Sequence, residues 1–311
     1  MAELELKNLN KETSESAEAL IAAAELEYKN KVEKIAEHIA KNSEIRIILL
    51  AGPSGSGKTT SANLIADAIE HMGRESIVVS LDDFYRDSTD PAYPRFENGE
   101  RDFESPDALN IPDLVATLEK IADGEAFSVP KYDFKVGGRV SLSRHEPMHG
   151  GVVIIEGLHA LNPKIFSLLP AERLYKIFIS VSTNVNDKDR RILSGRKIRF
   201  VRRMVRDSIY RGADASRTLS MWKNVLLGED KYLYPNRQYA NVSFDTFHKF
   251  ELGVMRPLAE KLITDELSER EPYAKTVKDA LSAISAIDEA LVPEDSLIRE
   301  FIPGGKYEHL Y

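Results

Sequence analysis

Short apolar runs alternate along this chain with longer segments in which apolar residues recur at helical spacing. The apolar runs lie at residues 45–51, 75–80, 152–157 and 174–181. Runs of this kind, rich in β-branched and aliphatic residues, are typical of strands buried on both faces of a parallel sheet. Helical spacing is found in residues 16–41, 61–71, 110–122, 248–263 and 272–291. The pattern therefore predicts an α/β fold in which helices flank a parallel sheet.

The segments between these elements refine the prediction. Residues 126–132 and 139–143 predict a hairpin insertion around Gly137-Gly138, and residues 241–246 predict a short edge strand. The polar residues 1–15 are predicted to be mobile. The predicted loop and junction segments are residues 88–108 and 265–271.

The predicted elements divide the chain into three regions. We predict an N-terminal helical extension (1–41), a core domain (42–265) and a C-terminal helical extension with a tail (266–311). The helix at 16–41 is amphipathic, so we interpret it as a packing helix or a dimer contact, which leaves a homo-oligomer open.

A glycine-rich stretch joins the first predicted strand to the helix that follows it. It reads Gly52-Pro53-Ser54-Gly55-Ser56-Gly57-Lys58-Thr59-Thr60 and fits the P-loop pattern G-x-x-x-x-G-K-[ST]. Gly52 and Gly57 permit conformations and close approaches that a Cβ would block, so successive N–H groups can face an anion. Lys58 can reach the β- and γ-phosphates of a nucleotide, and the Thr59 hydroxyl can bind Mg²⁺. This stretch predicts a nucleotide site without specifying the reaction.

Composition narrows the classes of protein that fit. The chain has 311 residues, 42% hydrophobic content and no cysteine, which excludes disulfides, thiolate metal sites and a cysteine nucleophile. The beginning of the sequence is acidic and polar, and no run reaches the length of a membrane span, so we expect a cytoplasmic protein. A net charge of −8 disfavours general nucleic-acid binding.

Acidic residues follow two of the predicted strands. Asp82 and Asp83 come after the strand at 75–80, and Glu156 ends the strand at 152–157. Because ligands bind at the carboxyl ends of strands in open parallel sheets, these acids are expected near the phosphate site. Asp82 could be a general base for a phosphoryl acceptor, or Asp82 or Asp83 could cap the next turn. Glu156 could hold Mg²⁺, or could meet a helix N-terminus.

A basic segment interrupts the otherwise acidic sequence between residues 187 and 211. One interpretation is an arginine lid that closes over phosphates, and the alternatives are a solvated helix face or a nucleic-acid patch. We expect two or three of these residues to be functional and the others to lie at the surface. The basic residues are Lys188, Arg190, Arg191, Arg196, Lys197, Arg199, Arg202, Arg203, Arg206 and Arg211.

The segment from His145 to His149 matches the zinc signature H-E-x-x-H but is not expected to bind zinc. That chemistry requires one continuous helix, and Pro147 lies inside the segment while Gly150-Gly151 follows it.

Several motifs, taken in order, resemble the uridine kinase and phosphoribulokinase family of P-loop kinases over residues 44–265. The segment DSLIREFIPGG resembles the tail of a uridine-kinase-like nucleoside kinase subgroup, whose members often carry an extra N-terminal domain that is not found in this sequence. The motifs are GPSGSGKTT, SLDDFYRD, RDFESPDALN, PKYDF, VVIIEGLHALN and RRMVRDSIYRG.

The resemblance implies a P-loop kinase fold and a role for each matching residue. Asp82 would take the proton from a nucleoside 5′-hydroxyl, with Lys58 and Arg206 also catalytic. Glu156 would assist Mg²⁺ together with Thr59, and the P-loop with Arg211 would bind ATP. The implied substrate-binding residues are Tyr85, Phe103, Glu104, Tyr132 and Arg203.

Three residues depart from the family's pattern. Glu104 stands in place of an expected ribose-binding Asp, Gly137 in place of a base-reading His, and Ala213 in place of an Arg. A site that cannot pair the polar edge of a base discriminates poorly between bases, so the acceptor is the weakest part of the resemblance.

The first hypothesis is therefore an ATP-dependent kinase that phosphorylates the 5′-hydroxyl of a nucleoside such as uridine or cytidine. The alternative within the same class is a kinase of another small hydroxyl compound such as a sugar phosphate. A different class is a P-loop regulator associated with nucleic acid, which the basic segment favours. A kinase fold that has lost activity is a further alternative, motivated by the three departures.

Overall fold

The computed structural model of this protein describes residues 2–96 and 99–311. The helices are α1 (Leu6–Glu15), α2 (Ala17–Ala40), α3 (Lys58–His71), α4 (Ile111–Asp123), α5 (Pro163–Phe166), α6 (Gly195–Tyr210), α7 (Ala215–Gly228), α8 (Glu251–Leu262), α9 (Asp265–Arg270) and α10 (Pro272–Ser282). The strands are β1 (Glu3–Glu5), β2 (Ile47–Ala51), β3 (Ser76–Ser80), β4 (Phe127–Asp133), β5 (Gly138–His145), β6 (Val152–Glu156), β7 (Leu174–Ser180), β8 (Asn184–Asp187), β9 (Arg190–Leu193) and β10 (Val242–Asp245).

A parallel sheet of five strands forms the centre of the described part of the chain, in the order β10-β7-β2-β6-β3. Every residue of β2 and β6 is buried, as expected for strands covered on both faces by helices. The register places Leu49 beside Ile155 on one side and Lys176 on the other. The predicted α/β fold class, the four predicted strands and the edge strand at 241–246 are confirmed.

The N-terminal region is ordered, contrary to the prediction of mobility for residues 1–15. Within its described residues, β1 pairs in parallel with β8, and α1 follows directly. The Asn10 amide donates to the Ala283 carbonyl oxygen at 2.8 Å and accepts from the Ser285 N–H at 2.8 Å. The sequence suggested mobility because this segment is polar, but Leu6 and Leu9 are buried and fix α1 against the core.

The predicted helix at 16–41 is confirmed as α2, and its apolar face packs on α3. Ser16 caps α2, because its side chain accepts from the Ala19 N–H at 3.1 Å. Buried residues of α1, α2, α3, α6, α8 and α10 belong to one apolar cluster.

The predicted hairpin is confirmed as β4 and β5, with Gly137 in the left-handed region at φ +74° between them. Asp83 holds this hairpin beside the central sheet, since it accepts from the Tyr132 N–H at 3.2 Å and pairs with Lys131 at 3.2 Å. The segment of the zinc signature is the end of β5 followed by turns, so it is not a helix.

The C-terminal region differs in detail from the prediction. Residues 265–271, predicted as a junction, form α9, and the predicted helix at 272–291 ends earlier, at Ser282. Residues 296–311 contain short 3₁₀ turns and pack against α3. Within residues 2–96 and 99–311, none of the helices combines the length and apolar content that a membrane crossing requires.

Candidate active site

The glycine-rich loop lies between β2 and α3, at the carboxyl end of the central strand. Gly55 and Gly57 both occupy the left-handed region, at φ +71° and +86°, and Gly57 is the residue before the first turn of α3. A Cβ on Gly52 would lie 2.6 Å from the Ile179 carbonyl oxygen. The loop therefore has the tight geometry and the helix N-terminus that a phosphate group requires.

Two fully buried arginines of α6 fasten this loop from behind. Arg199 donates to the Ser54 carbonyl oxygen at 2.8 Å and forms a two-bond ion pair with Glu229, which also accepts from the Ser54 N–H at 2.9 Å. Arg202 donates to the Gly55 carbonyl oxygen at 3.3 Å and forms a two-bond ion pair with Glu251. The prediction that the arginines without a site role lie at the surface is wrong for these two.

Three further arginines share one carboxylate on the cleft side. Asp207 contacts Arg203 at 3.2 Å, Arg206 at 2.8 Å and Arg211 at 3.4 Å. Burial alone would raise the pKa of Asp207, but Arg206, Arg211 and Arg203 lower it below the ordinary value. Neighbouring Arg206, aided by burial, lowers the pKa of Arg211 to about 10. Asp207 and Glu300, which lies 4.0 Å from Arg206, are two negative charges beside three positive ones, so this cluster retains positive charge toward the cleft.

Arg203 connects that cluster to the phosphate loop. Its guanidinium donates to the Ser54 Oγ at 2.8 Å. Arg206 lies 4.0 Å from a carboxylate oxygen of Glu300. The structure thus brings Arg203 and Arg206 of α6, and Arg211 just after its end, together beside the predicted phosphate site.

Ser80 links the two acids at the strand ends. Its hydroxyl donates to Glu156 Oε1 at 2.9 Å and accepts from the Asp82 N–H at 3.3 Å. The residue that caps the turn at 81–84 is Ser80, so the alternative in which Asp82 or Asp83 caps that turn is wrong. The carboxylate of Asp82 is left for another role.

The charge environment places Lys58 close to both acids. Asp82 is reached by water, but it lies in a concave site where desolvation raises its pKa, while Lys58, Arg211 and Arg206 oppose that rise. Burial raises the pKa of Glu156 to about 7, and Lys58 is again the main opposing charge. Lys58 Nζ lies 3.4 Å from the Pro53 carbonyl oxygen.

Aromatic side chains form one wall of the cleft next to Asp82. The ring of Tyr85 lies 5.9 Å from that of Tyr132 and 5.4 Å from that of Phe134, and its hydroxyl donates to the Phe103 carbonyl oxygen at 2.9 Å. The Phe103 ring packs against Tyr93 at 5.8 Å. Of the substrate-binding residues predicted from the sequence, Tyr85, Phe103 and Tyr132 are brought together.

Glu104 lies between this wall and the arginines. It packs closely on α7, where a Cβ on Gly228 would lie 2.4 Å from the Glu104 Cβ. Burial raises the pKa of Glu104 to about 7, and Arg203 is the main charge that opposes the rise. Glu104 therefore changes its protonation within the physiological range.

Comparison with known proteins shows which family this chain belongs to. The model of the Phosphoribulokinase / Uridine kinase family matches residues 47–252. The chain belongs to this family. Its relatives include Uridine kinase-like protein 5 of Arabidopsis thaliana, 30% identical over 63% of this chain and 38% of that protein. The uridine kinase of Lactobacillus helveticus is 32% identical over 63% of this chain and 84% of that protein.

The residues that match the phosphoribulokinase/uridine kinase family model include the central sheet, the phosphate loop, Asp82 and Glu156, whereas Glu300 lies outside the match. The chain spans less than half the length of the plant relatives that it matches. A solved structure of a possible uridine kinase from Bacillus stearothermophilus is 16% identical, with a TM-score of 0.47 over 70% of this chain and 100% of that chain.

Four residues that shape the site were not predicted from the sequence. Ser80 ends a predicted strand, and Asp207 lies inside the basic segment as its single acid after residue 190, which was the available signal. Glu229 and Glu300 come from distant parts of the chain, and no local pattern marks them. Glu300 and Tyr311 contact the predicted phosphate-binding residue Thr60.

Proposed function

We propose that this protein is an ATP-dependent kinase that transfers the γ-phosphate to the 5′-hydroxyl of a nucleoside such as uridine or cytidine. The observation that supports it best is the position of Asp82. Burial raises the pKa of its carboxylate, and Lys58, Arg211 and Arg206 on the phosphate side oppose that rise. On the other side, burial raises the pKa of Tyr85 in the aromatic wall, and Asp82 adds to that rise. An acceptor hydroxyl at Asp82 would therefore face the terminal phosphate of a nucleotide held at Lys58.

The residues present fit ATP and Mg²⁺. The left-handed glycines and the first turn of α3 suit phosphate groups, and the Glu156 carboxylate and Thr59 hydroxyl are the hard oxygen ligands that Mg²⁺ prefers. When bound, Mg²⁺ would offset negative charge on the phosphates. Ser80 orients Glu156 for this role through its 2.9 Å hydrogen bond.

The chain's own residues would carry the remaining steps. Asp82 would accept the proton of the acceptor hydroxyl and hold its oxygen toward the phosphate. Lys58 and Arg206, with Arg211, would stabilise the charge of the transferring group. Arg203 would orient the phosphate loop through Ser54 and, with Glu104, would lie beside the bound acceptor.

The acceptor pocket offers stacking more than polar readout of a base. Tyr85, Tyr132 and Phe103 would contact the flat face of a nucleobase, and Glu104 would accept hydrogen bonds from vicinal ribose hydroxyls. Gly137, which has no side chain to donate, packs against Ser88 in the hairpin turn. We therefore expect weak discrimination between bases.

A phosphorylated sugar is a second candidate acceptor. The observation that favours it is the cationic cluster in which Arg203, Arg206 and Arg211 share Asp207. A regulator associated with nucleic acid is disfavoured, because Arg199, Arg202 and Arg206 of the basic segment are buried and cannot contact a polyanion at the surface.

A panel of acceptors tests the proposal. Release of ADP is measured with MgATP and each of several nucleosides and sugar phosphates, with omission of acceptor or Mg²⁺ as controls. We expect ADP release only when acceptor, ATP and Mg²⁺ are all present, with nucleosides, uridine and cytidine among them, as the best acceptors. A sugar phosphate that exceeds every nucleoside would support the second candidate, and acceptor-independent release would contradict both.

A further inference from the structure

Residues 296–311, here called the C-terminal segment, lie across the start of the P-loop helix. Glu300 Oε2 accepts from the backbone N–H of Thr60 at 3.2 Å. The Glu300 side chain is only 5% exposed, and its other oxygen lies 4.0 Å from Arg206. The Thr60 hydroxyl is hydrogen-bonded to the Tyr311 hydroxyl at 2.5 Å. A carboxylate from the far end of the sequence thus contacts two groups assigned above to phosphate binding.

Several independent contacts hold the C-terminal segment in this place. Leu297 packs on the phosphate loop, where a Cβ on Gly57 would lie 2.8 Å from the Leu297 Cδ1. Phe301 is fully buried, and the guanidinium of Arg202, which fastens the loop, lies 5.0 Å from the centre of its ring. Tyr307 donates to Asp67 of α3 at 2.5 Å. The position of Glu300 is therefore set by packing on both of its sides.

The Glu300 carboxylate is an anion, and it lies at a helix N-terminus that is suited to bind a phosphate. The free N–H groups in the first turn of a helix attract a carboxylate or a phosphate for the same reason, namely the partial positive charge of that helix end. The Thr60 N–H cannot donate a full hydrogen bond to both at once. A buried carboxylate beside a polyphosphate would also repel it, with little solvent to screen the charges.

We infer that the C-terminal segment is an autoinhibitory contact in which Glu300 competes with the phosphates of the nucleotide for the Thr60 N–H and for Arg206. This inference rests on the P-loop being the nucleotide site of the proposed kinase. Binding of nucleotide then requires Glu300 to leave Thr60, so the segment lowers the affinity for nucleotide.

The test compares nucleotide affinity in the full chain and in Glu300→Gln. The substitution keeps the shape and one acceptor oxygen but removes the charge. Glu308→Gln is the matched control, because Glu308 lies in the same segment and contacts Tyr210 and Gly304 rather than α3. Dissociation constants for MgADP and MgATP are measured by calorimetry, with thermal unfolding as the check of folding.

We expect Glu300→Gln to bind both nucleotides about tenfold more tightly than the unaltered chain, and Glu308→Gln to bind as the unaltered chain does. Unchanged or weaker binding in Glu300→Gln would overturn the inference, as would the absence of binding in every variant. The readout is binding and not turnover. Tighter binding without activity on any acceptor would therefore uphold this contact while the proposed function fails.

Hydrogen exchange gives a second measurement that does not depend on a substitution. Saturating MgADP should speed the exchange of backbone amides in residues 296–311 of the unaltered chain, since the segment must loosen when Glu300 is displaced. Slower exchange in that segment with nucleotide bound would mean that the segment closes on the ligand, and would contradict competition.

Discussion

Two groups of arginines, on α6 and at its C-terminal end, differ in the number of carboxylates that pair with them. Arg199 and Arg202 are fully buried, and each forms a two-bond ion pair with a carboxylate of its own, Glu229 or Glu251. Arg203, Arg206 and Arg211 instead share the carboxylate of Asp207, and Glu300 lies 4.0 Å from Arg206. The first group is neutralised and fastens the phosphate loop, whereas the second group keeps positive charge beside the cleft.

The comparison shows that adjacent residues of one basic segment take their roles from the acids around them. Burial of an ion pair contributes little net stability, but removal of one partner leaves an uncompensated charge. Removal of one arginine from the second group is milder for the fold, because Asp207 keeps its contacts with the other two arginines. Substitution in the first group should therefore lower stability, whereas substitution in the second group should lower activity.

The largest expected effect is on stability, in the buried group. Arg202→Met leaves the Glu251 carboxylate buried without its partner and should reduce the free energy of unfolding by about 3–5 kcal/mol. Urea denaturation measures this change. Arg196→Met is the control, since Arg196 pairs with Asp230 at the surface and should change the free energy by less than about 1 kcal/mol.

A double variant sharpens that result. Combining Arg202→Met with Glu251→Leu removes both charges and should restore part of the lost free energy of unfolding. If Arg202→Met alone unfolds at the urea concentration of the Arg196→Met control, the distinction between the two groups is wrong.

The next effect is on catalysis, in the cleft group. Arg206→Gln should lower kcat by about a hundredfold with the best acceptor, because it removes a charge that stabilises the transferring phosphoryl group. Asp207 keeps its contacts with Arg203 and Arg211, and Glu300 keeps its hydrogen bond from the Thr60 N–H, so the midpoint of urea unfolding should move less than in Arg202→Met. Steady-state kinetics checks this, with Arg196→Gln as the control. If Arg206→Gln lowers the free energy of unfolding but leaves kcat unchanged, Arg206 belongs to the structural group instead.

The third effect is the pH dependence of acceptor binding, through Glu104. Its pKa is raised to about 7 by burial, so the group is protonated below pH 7 and ionised above it. If the ionised form accepts from the acceptor's hydroxyls, KM for the acceptor should be about tenfold higher at pH 6 than at pH 8. Glu104→Gln should remove this dependence on pH.

The cleft arginines set the position of that pH dependence. Arg203 opposes the rise in the pKa of Glu104, so Arg203→Gln should raise that pKa further and move the increase in KM to higher pH. If the plot of KM against pH keeps its midpoint in Arg203→Gln, Arg203 does not influence Glu104 in the acceptor site. The sign is opposite for folding: burial raises the pKa of Glu104 from the ordinary 4.5 to about 7, so the stability that neutral Glu104 contributes is fully present below pH 4.5 and is lost as pH rises through 7.

Local patterns predicted most of the fold and the phosphate loop. Two kinds of short-range signal predicted them, namely the apolar runs of β2 and β6 and the spacing of glycines before Lys58. Each of these signals predicts a single element or motif. The order of α1 could not be predicted in this way, because it depends on contacts with residues near 284. The periodicity of apolar residues does not predict contacts between residues that are distant in the sequence.

The same limit explains the errors in the site. Arg199 and Arg203 look alike in the sequence, and only the position of Glu229 on a later turn separates them. Asp82 and Asp83 are neighbours with different tasks because β4 lies beside one of them. The contact between Glu300 and Thr60 joins residues 240 positions apart.

The assignment of Asp82 as the base is the claim on which the proposed reaction depends most. Its direct test is Asp82→Asn, with kcat measured on the best acceptor and the dissociation constant for MgATP measured on the same preparation. We predict that kcat falls by about a thousandfold while the dissociation constant stays within about threefold. Near-normal turnover in Asp82→Asn would contradict the account.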